Sequence, residues 1–226
     1  MLSGRGKNDD ETVVNMLASA VRRDISFGKL FPDQKLKIEE LRSRYGGSNH
    51  SMREALRLLS AEGLVEATVQ RGFRVTSATE DDLRDIILVR AELERIALQR
   101  AIAEGDVAWE GRVVAAHHTL QRIEASVVAA ADDLTALQWD EACRAFSHAL
   151  IEACGSPRLI DLQRKFFDQS RRFRLALLRE GRLDFAKRKK RQDDLLRAVL
   201  ARDTVGASDI LKADIEAELR AESRTC

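Results

Sequence analysis

Apolar residues recur at helical spacing over residues 11–25, at Val13, Met16, Leu17, Ala20, Val21 and Ile25, and predict an amphipathic first helix. Gly28 and Pro32, within Ser26–Gln34, end it. A strand-like stretch, Lys35–Lys37, leads into a brief second helix over Ile38–Tyr45, and Gly46-Gly47 then breaks the chain. Ser48 is a good N-cap for a third helix that runs to Glu62 with Met52, Ala55, Leu56, Leu58 and Leu59 as its apolar positions. Gly63 stops it. Two β-type runs, Leu64–Thr68 and Phe73–Thr76, flank Val69-Gln70-Arg71-Gly72 and predict a hairpin with glycine at its tip.

Beyond a short polar linker, Thr76–Thr79, strand alternation disappears. The pattern predicts helices over 80–104, 107–128, 131–154, 157–180, 184–203 and 205–222, with joints at Gly155-Ser156-Pro157 and Gly181. Six such helices make a bundle. The chain is therefore expected to be mainly α, with an N-terminal winged helix-turn-helix over 10–78 and a C-terminal all-α helical bundle over 80–222.

Composition narrows the class without deciding it. The 226 residues are 44% hydrophobic and 33% charged, which suits two domains with buried cores. No apolar run approaches the roughly 18 residues needed to span a bilayer, and the first residues are polar, so a cytoplasmic protein with no membrane partner is expected. Cys143, Cys154 and Cys226 have no CxxC spacing and read as reduced thiols. The net charge of +1 splits into +3 over residues 1–79 (13 Lys/Arg, 10 Asp/Glu) and −2 over 80–226 (25 and 27), too weak an asymmetry to argue DNA binding.

The motifs argue it instead. The third helix opens with Ser48, Asn49, His50, Ser51 and Arg53, a run of hydrogen-bonding side chains where a recognition helix reaches base edges and phosphates. Arg57 lies one turn beyond Arg53 on the same face. At the hairpin tip Arg71 stands beside Gly72, whose small size lets backbone approach a phosphate or the groove floor. A generic small α+β domain would not need this placement of polar groups.

The segments Phe27-Gly28-Lys29-Leu30-Phe31-Pro32, Ser48 through Leu56, Glu62-Gly63-Leu64-Val65 and Arg71-Gly72-Phe73-Arg74-Val75 closely resemble the DNA-binding domain of GntR-family regulators. The resemblance implies operator contacts by Arg53, the turn residues before it and the wing glycine. Two positions depart from the family pattern: Asn49 replaces the usual Arg or Lys, and Ser51 the usual Pro or Thr. Asparagine still bonds adenine or phosphate, so binding with an altered operator preference is expected.

The second part resembles the FCD effector domain of the FadR subfamily. The matching residues are Asp82-Leu83, Val89 through Glu94, Phe146 through Leu159, Arg172-Phe173-Arg174 and Ala198 through Asp203. In that family one Asp and three His commonly hold a divalent metal. Here Cys143, Ser147, Gln192 and Asp214 stand at those positions, a thiol, a hydroxyl, an amide and one carboxylate. That set is no credible transition-metal site, so no metal and no other cofactor are expected. His148 adjoins a ligand position but is rotated from it by about 100 degrees along the helix, and similar geometry counts against His117 and His118.

Arg90 lies on the apolar stripe of its helix with two readings open: an internal i, i+4 pair with Glu94, or an anchor for an acidic ligand. Cys143, Ser147, Arg174, Gln192 and Asp214 would line the same effector site, or be ordinary core-edge residues. The run Lys187-Arg188-Lys189-Lys190-Arg191 reads as a solvated helix face, because it is short and has acidic neighbours.

The expected function is a sequence-specific transcriptional regulator, a homodimeric repressor on a roughly palindromic double-stranded operator, modulated by a small carboxylate effector. The alternatives are an effector-blind DNA binder with a degenerate sensor domain, or a helical-bundle enzyme. No Ser-His-Asp order, HExxH or phosphate loop supports the enzyme.

Overall fold

The computed structural model describes residues 5–68, 72–130 and 132–222. The chain divides into two compact units, residues 1–79 and 80–226.

The first unit runs α1 (Arg5–Ser26), β1 (Lys35–Leu36), α2 (Ile38–Tyr45), α3 (Asn49–Ala61), β2 (Val65–Thr68) and β3 (Gly72–Val75). The strands form an antiparallel sheet in the order β1-β3-β2, with Leu36 opposite Phe73 and Val65 opposite Val75. Phe73 and Val75 alternate inward and join Leu17, Ala18, Val21, Ile25, Met52, Ala55, Leu56 and Leu59 in one core. Two expectations for the apolar faces need correcting. Val13 and Met16 on α1 are exposed, Met16 at 67%, and so is Leu58 on α3. The apolar stripe of α1 is wider than the face that packs, and positions 17, 18, 21 and 25 take the core.

A buried carboxylate fastens α1 to α2. Asp24 accepts from Arg44 Nη2 and from the Tyr45 hydroxyl, both at 2.6 Å, while its backbone carbonyl accepts from the amides of Lys29 and Leu30. Burial and the Asp24 charge together push the Tyr45 hydroxyl well above the ordinary tyrosine pKa.

The second unit contains α4 (Glu80–Glu104), α5 (Val107–Ala129), α6 (Asp133–Ile151), α7 (Pro157–Arg179), α8 (Phe185–Leu200) and α9 (Thr204–Glu222). α4 packs against α6, α7 and α9, while α8 packs against α5 and α9. α6 begins later than its periodicity suggests, because Asp132 and Thr135 form a reciprocal capping box. α8 ends early, at Leu200, where the chain turns through Arg202 at φ 56°. The Arg202 guanidinium then donates to the carbonyls of Ile102 and Gly105 at 2.6 and 2.8 Å, satisfying the C-terminal end of α4. Among the described residues, no helix is long and apolar enough to cross a membrane.

Candidate functional site

The two glycines between α2 and α3 both have left-handed backbone, φ 80° at Gly46 and 82° at Gly47. Ser48 then caps α3: its Oγ accepts from the Ser51 amide at 3.0 Å. Asn49, His50, Arg53 and Arg57 follow on the exposed side. Arg42 on α2 reaches across the turn, its Nε donating to the Gly47 carbonyl at 3.3 Å and its Nη1 to Asn49 Oδ1 at 3.2 Å. Arg57 pairs with Glu54, and Arg53 has no ion-pair partner among the described residues.

Ser51 is placed differently from expectation. It is buried, and its hydroxyl bonds the Ser48 hydroxyl at 2.8 Å, so it supports the cap and does not face solvent. Gly72 opens β3 at φ 85° and is exposed, while Arg71 lies outside the described residues. Arg42 was not singled out from the sequence; its position seven residues before Asn49, across the glycine break, was the available signal.

In the second unit, Arg90, Cys143, Ser147, Arg174, Gln192 and Asp214 all line one cavity of about 40 Å³. They come from α4, α6, α7, α8 and α9, helices distant in sequence. Phe146 and Phe167 complete the apolar wall, and Glu94, Arg188 and Glu218 add charge.

Buried ion pairs surround this cavity. Arg90 Nε donates to Glu94 at 3.0 Å, and its Nη1 to Ser170 at 3.0 Å and to the two Glu218 oxygens at 3.3 and 3.4 Å. Ser147 donates to Glu94 at 2.9 Å and accepts from Gln163 at 2.8 Å. Arg174 and Arg171 share Asp140 at 2.6 and 2.7 Å. Arg188 donates to Glu124 at 2.8 Å and to the Cys143 sulfur at 3.3 Å, while Gln192 donates to Glu124 at 3.2 Å. Arg191 holds Asp214 at 2.7 Å. The guanidiniums of Arg90, Arg171, Arg174, Arg188 and Arg191 thus meet the carboxylates of Glu94, Glu124, Asp140, Asp214 and Glu218, and these charges cancel. Burial works against the charge on Arg90, but Glu94 and Glu218 outweigh it and its pKa is raised. The Glu94 partner expected at i, i+4 is present, joined by Glu218.

The basic run on α8 needs correcting. Lys187 and Lys189 are solvated, but Arg188 is only 11% exposed and lies inside the bundle. Arg188, Gln192, Leu195 and Val199 form one inward stripe, a signal that the density of charge in the run obscured. Glu124, Asp140, Gln163, Ser170 and Glu218 were likewise not singled out. For Glu218, its place four residues after Asp214 was the available signal.

The donors at the family's metal positions do not fit a divalent ion. Burial pushes the Cys143 thiol up to about 12, so it is protonated and not a thiolate ligand. Ser147 and Gln192 are neutral, Asp214 is engaged by Arg191, and the Arg188 guanidinium lies against the sulfur. A dication there would face a fixed positive charge. His117 pairs with Asp193 at 3.1 Å and lies tilted against the Phe146 ring at 5.6 Å, His118 is exposed, and among the described residues no three His, Cys, Asp or Glu side chains are placed to hold a metal.

Comparison with known proteins agrees with this architecture. Residues 14–75 match the bacterial regulatory proteins of the gntR family, and residues 85–217 match the FCD domain. The chain is 37% identical over 195 residues to the HTH-type transcriptional repressor GlaR of Escherichia coli K12, covering 85% of this chain and 87% of that protein. It is 36% identical over 200 residues to the uncharacterized HTH-type transcriptional regulator BphR of Paraburkholderia xenovorans LB400, covering 88% and 80%. Among solved structures, E. coli McbR/YncC superposes with a TM-score of 0.71 at 19% identity, over 94% of this chain and 99% of that one. A regulator from Rhodococcus sp. RHA1 gives the same TM-score at 22% identity and the same coverages, and at these identities the likeness is one of fold. The chain belongs to the GntR family and is a DNA-binding transcriptional regulator that joins a winged helix-turn-helix to a C-terminal FCD effector-binding domain.

Proposed function

We propose that this chain is a cytoplasmic homodimeric repressor whose affinity for a roughly palindromic operator is set by a small acidic effector bound in the helical unit. It acts by binding and not by turnover, and the effector site works without a divalent metal. Two recognition helices in a dimer face successive major grooves, with Arg53 and Arg57 at phosphates and bases and Asn49 and His50 adding hydrogen bonds. Ser48 and Ser51 set the start of the helix, and Arg71 and Gly72 provide the wing contact. Repression is supported by the name of the GlaR relative, and by a matching protein of Paenarthrobacter nicotinovorans named a probable D-xylose utilization operon transcriptional repressor.

One observation carries the effector reading: six residues from five helices converge on a single cavity that holds three guanidinium groups, those of Arg90, Arg174 and Arg188. Guanidinium forks suit carboxylates. The small, charge-balanced cavity favours a second reading, an effector-blind DNA binder. Fluorescence anisotropy on DNA from the chain's own promoter region separates the two. A carboxylate that shifts operator affinity supports the first reading, and no shift with any carboxylate supports the second.

A further inference from the structure

The inner cavity, at about 40 Å³, has room for a few waters and no organic ligand. A larger hollow of about 330 Å³ adjoins it between α8 and α9, lined on its basic side by Arg182, Lys187 and Arg191. Arg188, Asp214 and Glu218 border both spaces. Of these three, Glu218 is held most loosely. Its contacts are the long ones from Arg90 Nη1, at 3.3 and 3.4 Å, and that nitrogen also serves Ser170. Asp214 and Arg188 are held at 2.7 and 2.8 Å.

We propose that Glu218 is a built-in stand-in for the effector's carboxylate: an incoming carboxylate crosses the outer hollow, takes Arg90 Nη1 from Glu218 and releases the C-terminal part of α9. This deepens the acidic-effector reading above and rests on it. Charge balance requires the exchange. An anion added to a neutral buried cluster leaves an uncompensated negative charge at low dielectric. Expelling Glu218 into the hollow, beside Lys187 and Arg191, restores neutrality. Arg90 is not left bare, because Glu94 stays at 3.0 Å and the Phe167 ring lies 4.8 Å from its guanidinium carbon. Because Glu218 borders both spaces, its departure also opens the inner one toward the hollow. The released helix packs on α4, whose first residue, Glu80, follows the four residues 76–79 after β3. A local exchange of carboxylates thereby acts on the helix that continues from the DNA-binding unit.

The test is calorimetric titration of the full-length protein with acetate and with succinate, comparing wild type, Glu218→Gln and Asp214→Asn. Glu218→Gln is nearly isosteric and leaves the cluster at +1, so it should bind succinate at least tenfold tighter than wild type. Asp214→Asn removes the same charge from a carboxylate that also lines the site but is already engaged by Arg191, so any gain in succinate affinity should be at least threefold smaller than the gain in Glu218→Gln. Equal or weaker binding by Glu218→Gln, with wild type still binding, overturns the stand-in role and leaves the acidic-effector reading intact. An equal gain in both variants overturns it as well, because charge alone would then suffice. Failure of both probes to bind Glu218→Gln, whose Arg90 Nη1 faces no Glu218 carboxylate, overturns the stand-in role, while the acidic-effector reading falls only if no carboxylate shifts operator affinity. Hydrogen exchange on wild type gives a check that needs no variant: succinate should lower amide protection in residues 212–219, and unchanged or raised protection on binding rejects the displacement.

Discussion

Arg42 Nη1 donates to Asn49 Oδ1 at 3.2 Å, joining the end of α2 to the first residue of α3 across the glycine turn. The same guanidinium holds the Gly47 carbonyl. Both side chains are exposed, so the contact orients a DNA-facing asparagine and adds little to the fold. Arg42→Ala should weaken operator binding by about 0.5–1.5 kcal/mol and leave the melting temperature within about 1 °C, read by anisotropy and thermal denaturation.

On α3, Arg53 carries no ion pair among the described residues, whereas Arg57 must first leave Glu54. Arg53→Ala should therefore weaken operator binding by about 1–3 kcal/mol, and Arg57→Ala by less. Equal losses in a gel-shift series would contradict the ranking.

At Gly47 an added Cβ would lie 2.8 Å from Leu17 Cδ1, on a backbone of φ 82°. Gly46 has a similar φ but open space around it. Gly46→Ala should thus cost only its φ 80°, ψ −161° backbone, a region almost confined to glycine, about 1–3 kcal/mol, and Gly47→Ala more because the buried Leu17 side chain must also give way. Chemical denaturation monitored by circular dichroism should show that order.

His117 titrates below its ordinary value of 6.5, because burial disfavours the imidazolium more than Asp193 favours it. The unfolded chain therefore takes up the proton first. Its contribution to stability is present above pH 6.5 and is lost as pH falls from there through the folded pKa. His117→Gln should flatten the fall in melting temperature between about pH 7 and pH 5.

Cys143 and Cys154 are both buried, and the Cys143 thiol is held up to about 12. Iodoacetamide at pH 8 should label neither in the native protein and both after denaturation, as mass spectrometry would read. Added zinc or EDTA should leave the melting temperature unchanged, since Arg188 faces the sulfur a metal would need.

By itself the sequence determined the local elements. The Gly46-Gly47 break, the Ser48 cap, the β runs around Gly72 and the helical periods from residue 80 onward are set by neighbours within a few positions, and they reappear within a few residues. It also singled out six cavity residues, Arg90 by its place on an apolar stripe and Cys143, Ser147, Gln192 and Asp214, with Arg174, through the resemblance to the FCD domain. Only the tertiary structure decided which side of a wide stripe packs, as with Met16 outside and Leu17 inside, and which charges are internal. The stripe that Arg188 shares with Gln192, Leu195 and Val199 sets it apart from Lys187 and Lys189 in direction, but its burial as a charge depends on Glu124, which is 64 residues away on another helix. Glu218 is similar, 128 residues from the Arg90 it meets. Burying a charge is favourable only where a distant partner arrives to neutralise it, and that meeting is made by packing rather than by any pattern along the chain.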